Sequence, residues 1–285
     1  MQVCKNGQLI ATNRIMLQIR GITKTFFPGA PSEVRALQGI DLTIAEGSFV
    51  IVIGMNGSGK SSLLNAVAGT FPLDAGTIHL AGRDIARWPE HRRAKLIGRV
   101  FQNPFSGTAP TMTIAENLVL ARRRGRSRGL GWAFRPGVRA DLRERVRRMG
   151  LGLEDRLDSP IGTLSGGQRQ SLTLLMAALV RPQLLLLDEH TAALDPRSAD
   201  QVIRLTEEII SEGRLTTLMV THSMQQAVQL GDRLIMMVRG RILHDFLGVQ
   251  KQRLRPQDLL ARFEEVRRAE QLDESAAEML RQMYV

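Results

Sequence analysis

The sequence predicts an α/β fold with a mostly parallel sheet, an N-terminal antiparallel β subdomain and an inserted α-helical subdomain. Three observations support this fold. A glycine-rich turn joins a buried-type strand to a helix within residues 48–68, and strands alternate with helical stretches from residue 184 to residue 246. No strand pattern occurs between about 106 and 160, where helical patterns take over. Such alternation places helices on both faces of a parallel sheet.

The first hundred residues carry the antiparallel strands and the glycine-rich turn. Residues 1–13 show no clear period, so we treat residues 1–15 as an extension and expect a first strand at Leu17–Ile19. The chain is then expected to turn over Ile22–Gly29. Alternating or apolar runs predict further strands at Val34–Leu37, Gly39–Ile44, Ser48–Ile53, within Asp74–Gly82, and at Leu96–Phe101.

The helical insert begins near Thr113, whose spacing to Glu116 predicts a capping box. Strands are expected to return at Leu184–Leu187, Thr217–Val220, Leu234–Val238 and Arg241–Phe246, separated by helices over 168–180, 198–212 and 224–230. The tail from Pro256 is predicted to be an amphipathic helix that presents one apolar face, formed by Leu259, Leu260, Phe263 and Val266.

Composition describes an ordinary globular chain. With 285 residues and 43% hydrophobic content, it can bury one large core, or a core and a smaller lobe. Its apolar runs reach only about seven residues, against the ~20 that span a bilayer, and its N-terminus lacks the apolar core of a signal peptide. We expect a cytosolic chain. The lone Cys4 agrees with a reducing compartment.

The positive charge is concentrated in one segment. The whole chain carries +11, and residues 122–148 hold eleven arginines against Asp141 and Glu144, a net +9. Three interpretations remain open for this arginine-rich segment: a solvated helix face, a docking surface for acidic loops of a partner, or a contact with anionic lipid headgroups. The spacing of Arg139, Arg143 and Arg147 predicts a basic helix face, opposite the apolar Leu142 and Val146.

The turn at Gly54–Ser61 matches the pattern G-x-x-x-x-G-K-S. Its glycines let backbone N–H groups surround a phosphate, Lys60 can reach the terminal phosphates, and the Ser61 hydroxyl can ligate Mg²⁺. The alternative is a chance match in a loop, which the flanking strand and helix disfavour. The sequence therefore predicts a phosphate-binding loop.

Two further stretches carry polar residues where a sheet or helix ends. Asp188 and Glu189 follow four leucines at the carboxyl end of a predicted buried strand, where ligands bind in open α/β sheets. Asp188 is suited to hold Mg²⁺ and Glu189 to take a proton from water; alternatively, they are merely solvated acids. Leu164–Gln168 precedes a helix that Ser165 can cap, and it offers a second anion site or simply a flexible helix start.

Taken together in this order, these motifs resemble those of the ATP-binding subunits of ABC transporters, over about residues 17–246. The resemblance implies a P-loop NTPase (RecA-like) core, an ATPase domain over 16–248 with its helical subdomain at about 106–160, and a C-terminal helical tail over 249–285. It also implies ATP and Mg²⁺ as ligands. The nucleotide-binding Walker A residues would be Gly54, Met55, Asn56, Gly57, Ser58, Gly59, Lys60, Ser61 and Ser62.

The resemblance assigns the remaining roles. Glu189 would be the catalytic carboxylate, His222 the switch histidine and Gln102 the Q-loop glutamine, with Ser61, Gln102 and Asp188 around the metal. Phe26 would stack on adenine, although a core or loop aromatic is the alternative. The signature motif, which would contact the ATP of a partner copy, comprises Leu164, Ser165, Gly166, Gly167 and Gln168, and Asp195 belongs to the D-loop.

Two positions depart from the common family pattern. Ser62 stands where threonine is frequent, a harmless change because Ser61 keeps the hydroxyl. His190 replaces the usual proline after Glu189. Its neighbour makes a tuned pKa or an altered turn conceivable, whereas the simpler interpretation is a solvated or locally bonded histidine.

Among candidate functions, the sequence favours the ATP-hydrolysing subunit of a membrane transporter. Two copies would sandwich two ATPs and act on separate transmembrane permease subunits at the cytoplasmic face of the membrane, with no nucleic acid as partner. A soluble ATPase acting on nucleic acid or ribosomes tends to carry two cassettes or a long coiled coil, which this chain lacks, and an inactive scaffold disagrees with the complete set of catalytic-type residues. A lone cassette resembles importers more than exporters, although some exporters are also split, and import implies an extracytoplasmic solute-binding protein. Residues 103–110 and 188–191 look like a branch that takes up small organic solutes such as aromatic amino acids.

Overall fold

The strands form two sheets of different type in the computed structural model, which describes residues 14–125 and 136–268 of the chain. In chain order the strands are β1 (Ile15–Phe26), β2 (Val34–Ala45), β3 (Phe49–Gly54), β4 (Ala75–Leu80), β5 (Arg83–Asp84), β6 (Ile97–Val100), β7 (Leu184–Asp188), β8 (Thr217–Val220), β9 (Arg233–Val238) and β10 (Arg241–Leu247). Cys4, most of the proposed extension, the end of the tail, and Arg126, Arg128 and Arg135 of the arginine-rich segment lie outside the described residues.

The first sheet has the order β2-β1-β4-β5 and its neighbouring strands are antiparallel. This is the N-terminal antiparallel arrangement that the sequence predicts. β1 is longer than expected, because it continues through Phe26 where a turn was predicted from Ile22. Register shifts occur on both sides of Ile22, and Gly21 has a φ of 56°. These bulges interrupt the alternation that marks a strand in the sequence, but the pairing with β2 continues past them.

The second sheet has the order β10-β9-β3-β8-β7-β6. All its pairs are parallel except β10 with β9 at one edge. Because β3, β8 and β7 are neighbours, the segments that follow them meet at one edge of the sheet. These are the phosphate loop, the segment with His222 and the segment with Glu189, so the strand order alone brings the predicted catalytic groups together.

Helices cover both faces of the second sheet. They are α1 (Lys60–Ala68), α2 (Glu90–Arg93), α3 (Ile114–Arg122), α4 (Pro136–Arg148), α5 (Gly166–Ala178), α6 (Pro196–Gly213), α7 (Met224–Gln229), α8 (Gly248–Gln252) and α9 (residues 256–268). No helix within the described residues is long and apolar enough to cross a lipid bilayer.

The four leucines of β7 show how the sheet divides two cores. Leu184 and Leu186 belong to the apolar cluster that includes α1 and the first sheet. Leu185 and Leu187 belong to the cluster on the opposite face, which includes residues of α5, α6, α7 and α9. Alternate side chains of a strand point to opposite faces, so an uninterrupted apolar run is what a strand covered on both faces requires.

A third apolar cluster organises the helical insert. Leu142 and Val146 of α4 are buried together with residues of α3 and α5. At the start of α3, Thr113 Oγ1 accepts a hydrogen bond from the Glu116 backbone N–H at 3.1 Å, and Glu116 Oε2 accepts one from the Thr113 N–H at 2.7 Å. The predicted capping box is therefore present.

The opposite face of α4 is basic, and each of its arginines is paired with a carboxylate of the insert itself. The pairs are Arg139–Asp158 (2.5 Å), Arg143–Asp155, Arg145–Asp141 (3.1 Å), Arg147–Glu144 and Arg148–Glu144 (3.3 Å). Exposed pairs of this kind add little stability. Asp141 and Glu144 are already counted in the net +9 of residues 122–148, so among these partners only Asp155 and Asp158 offset further charge, which leaves +7.

Helix α9 packs through a narrower face than the sequence predicts. Leu259 and Phe263 are buried in the cluster that α9 shares with α6 and α7, and Val266 packs against it. Leu260, however, is 50% exposed. One residue advances a helix by about 100°, so the neighbour of Leu259 is turned away from the sheet.

The turn between β9 and β10 connects the two sheets near the phosphate loop. The Gly240 N–H donates to the Ser58 carbonyl at 2.9 Å, and the Gly240 carbonyl accepts from the Gln38 N–H of β2 at 2.9 Å. The Gln38 side chain also donates to the Arg239 carbonyl at 2.8 Å. The phosphate loop and the antiparallel sheet are thus bonded to the same turn.

Candidate functional site

The phosphate loop is a tight backbone cradle between β3 and α1. Gly59 has a φ of 96°, and a Cβ at this position would lie 2.5 Å from the Ala36 carbonyl oxygen. A glycine is required for both reasons. Lys60 Nζ donates to the carbonyls of Gly54 at 2.8 Å and Met55 at 3.0 Å. Burial lowers the pKa of Lys60, and the charges of Glu189 and Asp188 oppose that shift.

Ser61 and Asp188 come together beneath this loop. The Ser61 hydroxyl donates to Asp188 Oδ1 at 3.3 Å. Burial raises the pKa of the Asp188 carboxyl, whereas the nearby Arg99 charge lowers it. A hydroxyl and a carboxylate beside a phosphate-binding loop are the hard oxygen donors that Mg²⁺ uses together with phosphates and water. These residues therefore fit a magnesium ion.

Arg99 is a member of this site that the sequence analysis missed. Its guanidinium lies 3.6 Å from Asp188 Oδ2, donates to Asn65 Oδ1 of α1 at 2.6 Å and stacks on the Phe101 ring at 4.5 Å. It thus links β6, α1 and the end of β7. The sequence does contain a signal for this role, because Arg99 is a single charged residue within a predicted buried strand and lies close to Gln102. A buried charge requires a partner.

Glu189 and His222 form the other polar pair of the site. His222 Nε2 lies 2.5 Å from Glu189 Oε1. Glu189 has a φ of 46°, a left-handed conformation that is unusual for a residue other than glycine. Its N–H donates to the Val220 carbonyl of β8 at 3.0 Å, so the strained residue is fixed to the neighbouring strand.

A cavity of about 580 Å³ contains most of the predicted site residues. Its volume lies in the range of small-molecule sites. Phe26 lines one end and packs edge-to-face on Phe71 with ring centroids 5.1 Å apart. The lining residues are Phe26, Val34, Ala36, Asn56, Gly57, Ser58, Gly59, Lys60, Ser61, Ser62, Gln102, Glu189, Ala192 and His222. The structure therefore brings together residues that are predicted to contact the nucleobase, residues that are predicted to bind the phosphates, and the predicted catalytic residues.

The glycine-rich stretch at the start of α5 does not line this cavity. Ser165 Oγ accepts from the Gln168 N–H at 3.3 Å, and Gln168 Oε1 accepts from the Ser165 N–H at 3.3 Å, so this stretch forms a capping box. A Cβ on Gly167 would lie 2.7 Å from the Ser198 Cβ of α6. Asp195, which precedes α6, accepts from the Ser198 N–H at 3.0 Å and caps that helix.

His190 is locally bonded and buried. Its Nε2 lies 3.0 Å from Thr206 Oγ1, and that hydroxyl donates to the Val202 carbonyl at 2.7 Å. The hydroxyl therefore accepts from the imidazole, which places the proton on Nε2. Burial lowers the pKa of His190 to about 4. Of the two forms of the simpler interpretation, the structure therefore shows the locally bonded histidine and not the solvated one.

Several known proteins are similar to this chain. Residues 37–192 match the family model described as ABC transporter. The chain is 42% identical over 250 residues to the tyrosine transport ATP-binding protein of Clostridioides difficile, covering 87% of this chain and 99% of that protein. It is 38% identical over 223 residues to the lipoprotein-releasing system ATP-binding protein LolD 1 of Caulobacter vibrioides, covering 77% of this chain and 91% of that protein.

Two further similarities concern an import protein and a solved structure. The chain is 37% identical over 229 residues to the aliphatic sulfonates import ATP-binding protein SsuB 1 of Paraburkholderia xenovorans, covering 80% of this chain and 59% of that protein. A dimeric, post-hydrolysis ATP-binding cassette bound to ADP and phosphate has a TM-score of 0.69 and 26% identity, covering 81% of this chain and 98% of that one.

Proposed function

Because the chain belongs to the ABC transporter family, as an ATP-binding subunit that hydrolyses ATP to power transport, we propose that it drives import of a small organic solute. The preferred solute class is an aromatic amino acid. Support for import comes from the sulfonate import relative. Support for the solute class comes from the tyrosine transport protein, which matches over nearly its whole length. The similarity to lipoprotein-releasing proteins makes release of a lipoprotein from the membrane the second candidate.

The proposed mechanism rests on one observation: Glu189 and His222 are paired at the rim of the cavity that the phosphate loop forms. Glu189 takes a proton from water as the water oxygen attacks the γ-phosphorus. The bond from the γ-phosphorus to its bridging oxygen breaks, leaving ADP and phosphate. His222 orients the Glu189 carboxylate and the γ-phosphate, and Lys60 offsets phosphate charge.

The other predicted residues serve positioning. Ser61 and Asp188, with Gln102 nearby, would hold Mg²⁺, which supplies charge neutralisation at the phosphates. The backbone of Gly54–Ser62 cradles the phosphates, and Phe26 stacks on the base. The residues Leu164, Ser165, Gly166, Gly167 and Gln168, which do not line the cavity of their own chain, complete the site of a second copy with Asp195 close by.

The proposal also places the chain in a larger assembly. A homodimer would act at the cytoplasmic face of the membrane on separate transmembrane permease subunits, and an extracytoplasmic protein would deliver the solute. The domain division given above, with an ATPase domain over 16–248, is part of this proposal. An action on nucleic acid is not supported by any of the relatives named above.

Glu189→Gln tests the catalytic assignment and the transported solute together. The purified variant should bind ATP as the wild type does but hydrolyse it at least ~100-fold more slowly, because it lacks the general base. Cells that lack this chain should lose energy-dependent uptake of labelled tyrosine. The wild-type gene should restore uptake and the Glu189→Gln gene should not.

The two measurements separate the two parts of the proposal. Wild-type hydrolysis by Glu189→Gln would contradict the role of Glu189. Unchanged tyrosine uptake in cells without the chain would contradict the amino-acid substrate, and a defect in lipoprotein release in those cells would favour the second candidate. Lys60→Ala provides the binding control, because it should lose ATP affinity itself.

A further inference from the structure

Glu189 and His222 lie on different loops, and their 2.5 Å contact depends on how those loops are held. Glu189 follows β7, whereas His222 follows β8. The two strands are joined up to the Glu189 N–H, which donates to the Val220 carbonyl at 3.0 Å. Beyond that bond the sheet ends, so the relative position of the two loops requires other contacts.

Side-chain packing does not fill the space between these loops. A cavity of about 320 Å³ lies beside the catalytic pair on the side of α6 and α7. It is lined by Glu189, Thr191, Ala192, Ala199, Thr221, His222, Ser223 and Gln226. Protein interiors are normally close-packed, and packing fixes loop positions there. This cavity is partly open to solvent, so hydrogen bonds rather than close packing link the two loops across it.

Gln226 of α7 spans this gap through its side-chain amide. Its Oε1 accepts from the Thr221 hydroxyl at 2.7 Å, on the His222 loop. Its Nε2 donates to the Thr191 hydroxyl at 3.3 Å, on the loop that follows Glu189. Thr191 and Thr221 are 8% and 4% exposed, so both bonds lie between largely buried residues.

The His222 loop is itself built on this residue. The Thr221 hydroxyl that donates to Gln226 also accepts from the Ser223 N–H at 3.1 Å. Ser223 Oγ in turn accepts from the Gln226 N–H at 3.3 Å and caps α7. The two residues that flank His222 are therefore held by one cycle of bonds that passes through Gln226.

We propose that Gln226 is a positioning residue, which sets the distance between His222 and Glu189 by linking their two loops. This inference rests on the proposed catalytic roles of these two residues. Gln226 touches no reacting atom. Replacing the Gln226 side chain should leave the phosphate loop and the contact of Phe26 with the nucleobase intact. It should allow Glu189 and His222 to move apart.

Steady-state ATP hydrolysis by the full chain tests the proposal with Gln226→Leu and Thr191→Val. Each variant should lower kcat by about 10- to 100-fold, the range for misplaced catalytic groups, and should leave KM and ATP affinity within about twofold of wild type. The double variant should be no slower than the slower single variant, because both remove the same link. Thr191→Ser keeps the hydroxyl and should retain wild-type kcat.

Gln225→Leu is the matched control, since Gln225 is the exposed neighbour on α7 and should leave kcat unchanged. Hydrogen exchange of residues 217–226, measured by mass spectrometry, reports the link without hydrolysis and should speed up in Gln226→Leu.

Wild-type kcat in both Gln226→Leu and Thr191→Val, or unchanged exchange, would overturn the link. A parallel loss of kcat and ATP affinity would also overturn it, as a general structural effect. Absence of hydrolysis by the wild type would instead contradict the proposed function.

Discussion

Phe26 shows how a single side chain gains its significance from the surrounding cavity. It stands at the end of β1, lines the nucleotide-sized cavity and is supported edge-on by Phe71. Phe27, next in the chain, is 67% exposed and does not line that cavity. The resemblance of the sequence to the family assigns Phe26 rather than its neighbour, and the strand end places only Phe26 on the wall of the cavity.

Phe26→Ala should weaken ATP binding. Base stacking on an aromatic ring contributes about 1–3 kcal/mol, so we expect the Kd to rise roughly 5- to 150-fold. Saturating ATP should still give the wild-type kcat, because the ring is remote from the γ-phosphate. Equilibrium binding of a fluorescent ATP analogue measures the change.

Phe27→Ala is the control and should bind ATP as the wild type does. Phe26→Tyr preserves the face of the aromatic ring and should retain the ATP affinity of the wild type. Equal effects of Phe26→Ala and Phe27→Ala would contradict the assignment of the stacking residue.

At the scale of elements, the carboxyl end of α1 is held by a buried arginine. Arg93 is 1% exposed. Its guanidinium donates to the carbonyls of Ala66 at 2.7 Å and Val67 at 3.0 Å in the last turn of α1, and to those of Ala86 at 2.8 Å and Trp88 at 2.9 Å. The last carbonyls of a helix have no partner within it and carry partial negative charge, so a cation satisfies both needs.

Arg93→Met should lower the free energy of unfolding by about 3 kcal/mol or more, because several buried carbonyls lose a charged donor. Urea denaturation measures this change. Arg92→Met is the matched control: Arg92 is exposed and stacks on Trp88 at 3.9 Å, a contact that contributes at most about 1 kcal/mol. Similar destabilisation by both variants would argue against the role of Arg93 as a cap.

The elements that the sequence predicts well are those whose signal is local. The phosphate loop, the capping box at Thr113 and the apolar run of β7 each contain their evidence within a few residues. The predicted β1 is too short because bulges in the strand break the alternation of apolar and polar residues. The prediction that Leu260 is buried with Leu259 is wrong because adjacent residues of a helix point in different directions and cannot both face one core.

Arg99 was missed because Asn65 and Asp188 are distant from it in sequence and meet it only through the fold. Gln226 was missed because its link to Thr191 spans 35 residues.

At the scale of the whole molecule, the predicted site is divided into two parts. One part lines the cavity, and the other, at the start of α5, lies outside the cavity of its own chain. The proposed homodimer joins these parts across two copies. Because the Ser165 side chain already caps α5 within its own chain, its contribution to the partner would come from the same exposed end of the helix.

Ser165→Arg should therefore bind ATP as a monomer but fail to dimerise. A large cation at the start of α5 blocks the approach of a second copy and leaves the phosphate loop of its own chain untouched. Size-exclusion chromatography with ATP, in a Glu189→Gln background that slows hydrolysis, measures the dimer. Glu189→Gln alone is the control and should dimerise. Loss of ATP binding by the Ser165→Arg monomer would place Ser165 in the site of its own chain.

The turn at Gly240 bonds both to the phosphate loop and to the strand that pairs with β1. The two contacts proposed for the nucleotide, the ring of Phe26 and the cradle at Gly54–Ser62, therefore stand on one hydrogen-bonded frame rather than on two independently moving parts. A substitution that displaces the turn at Gly240 would therefore move both proposed contacts at once.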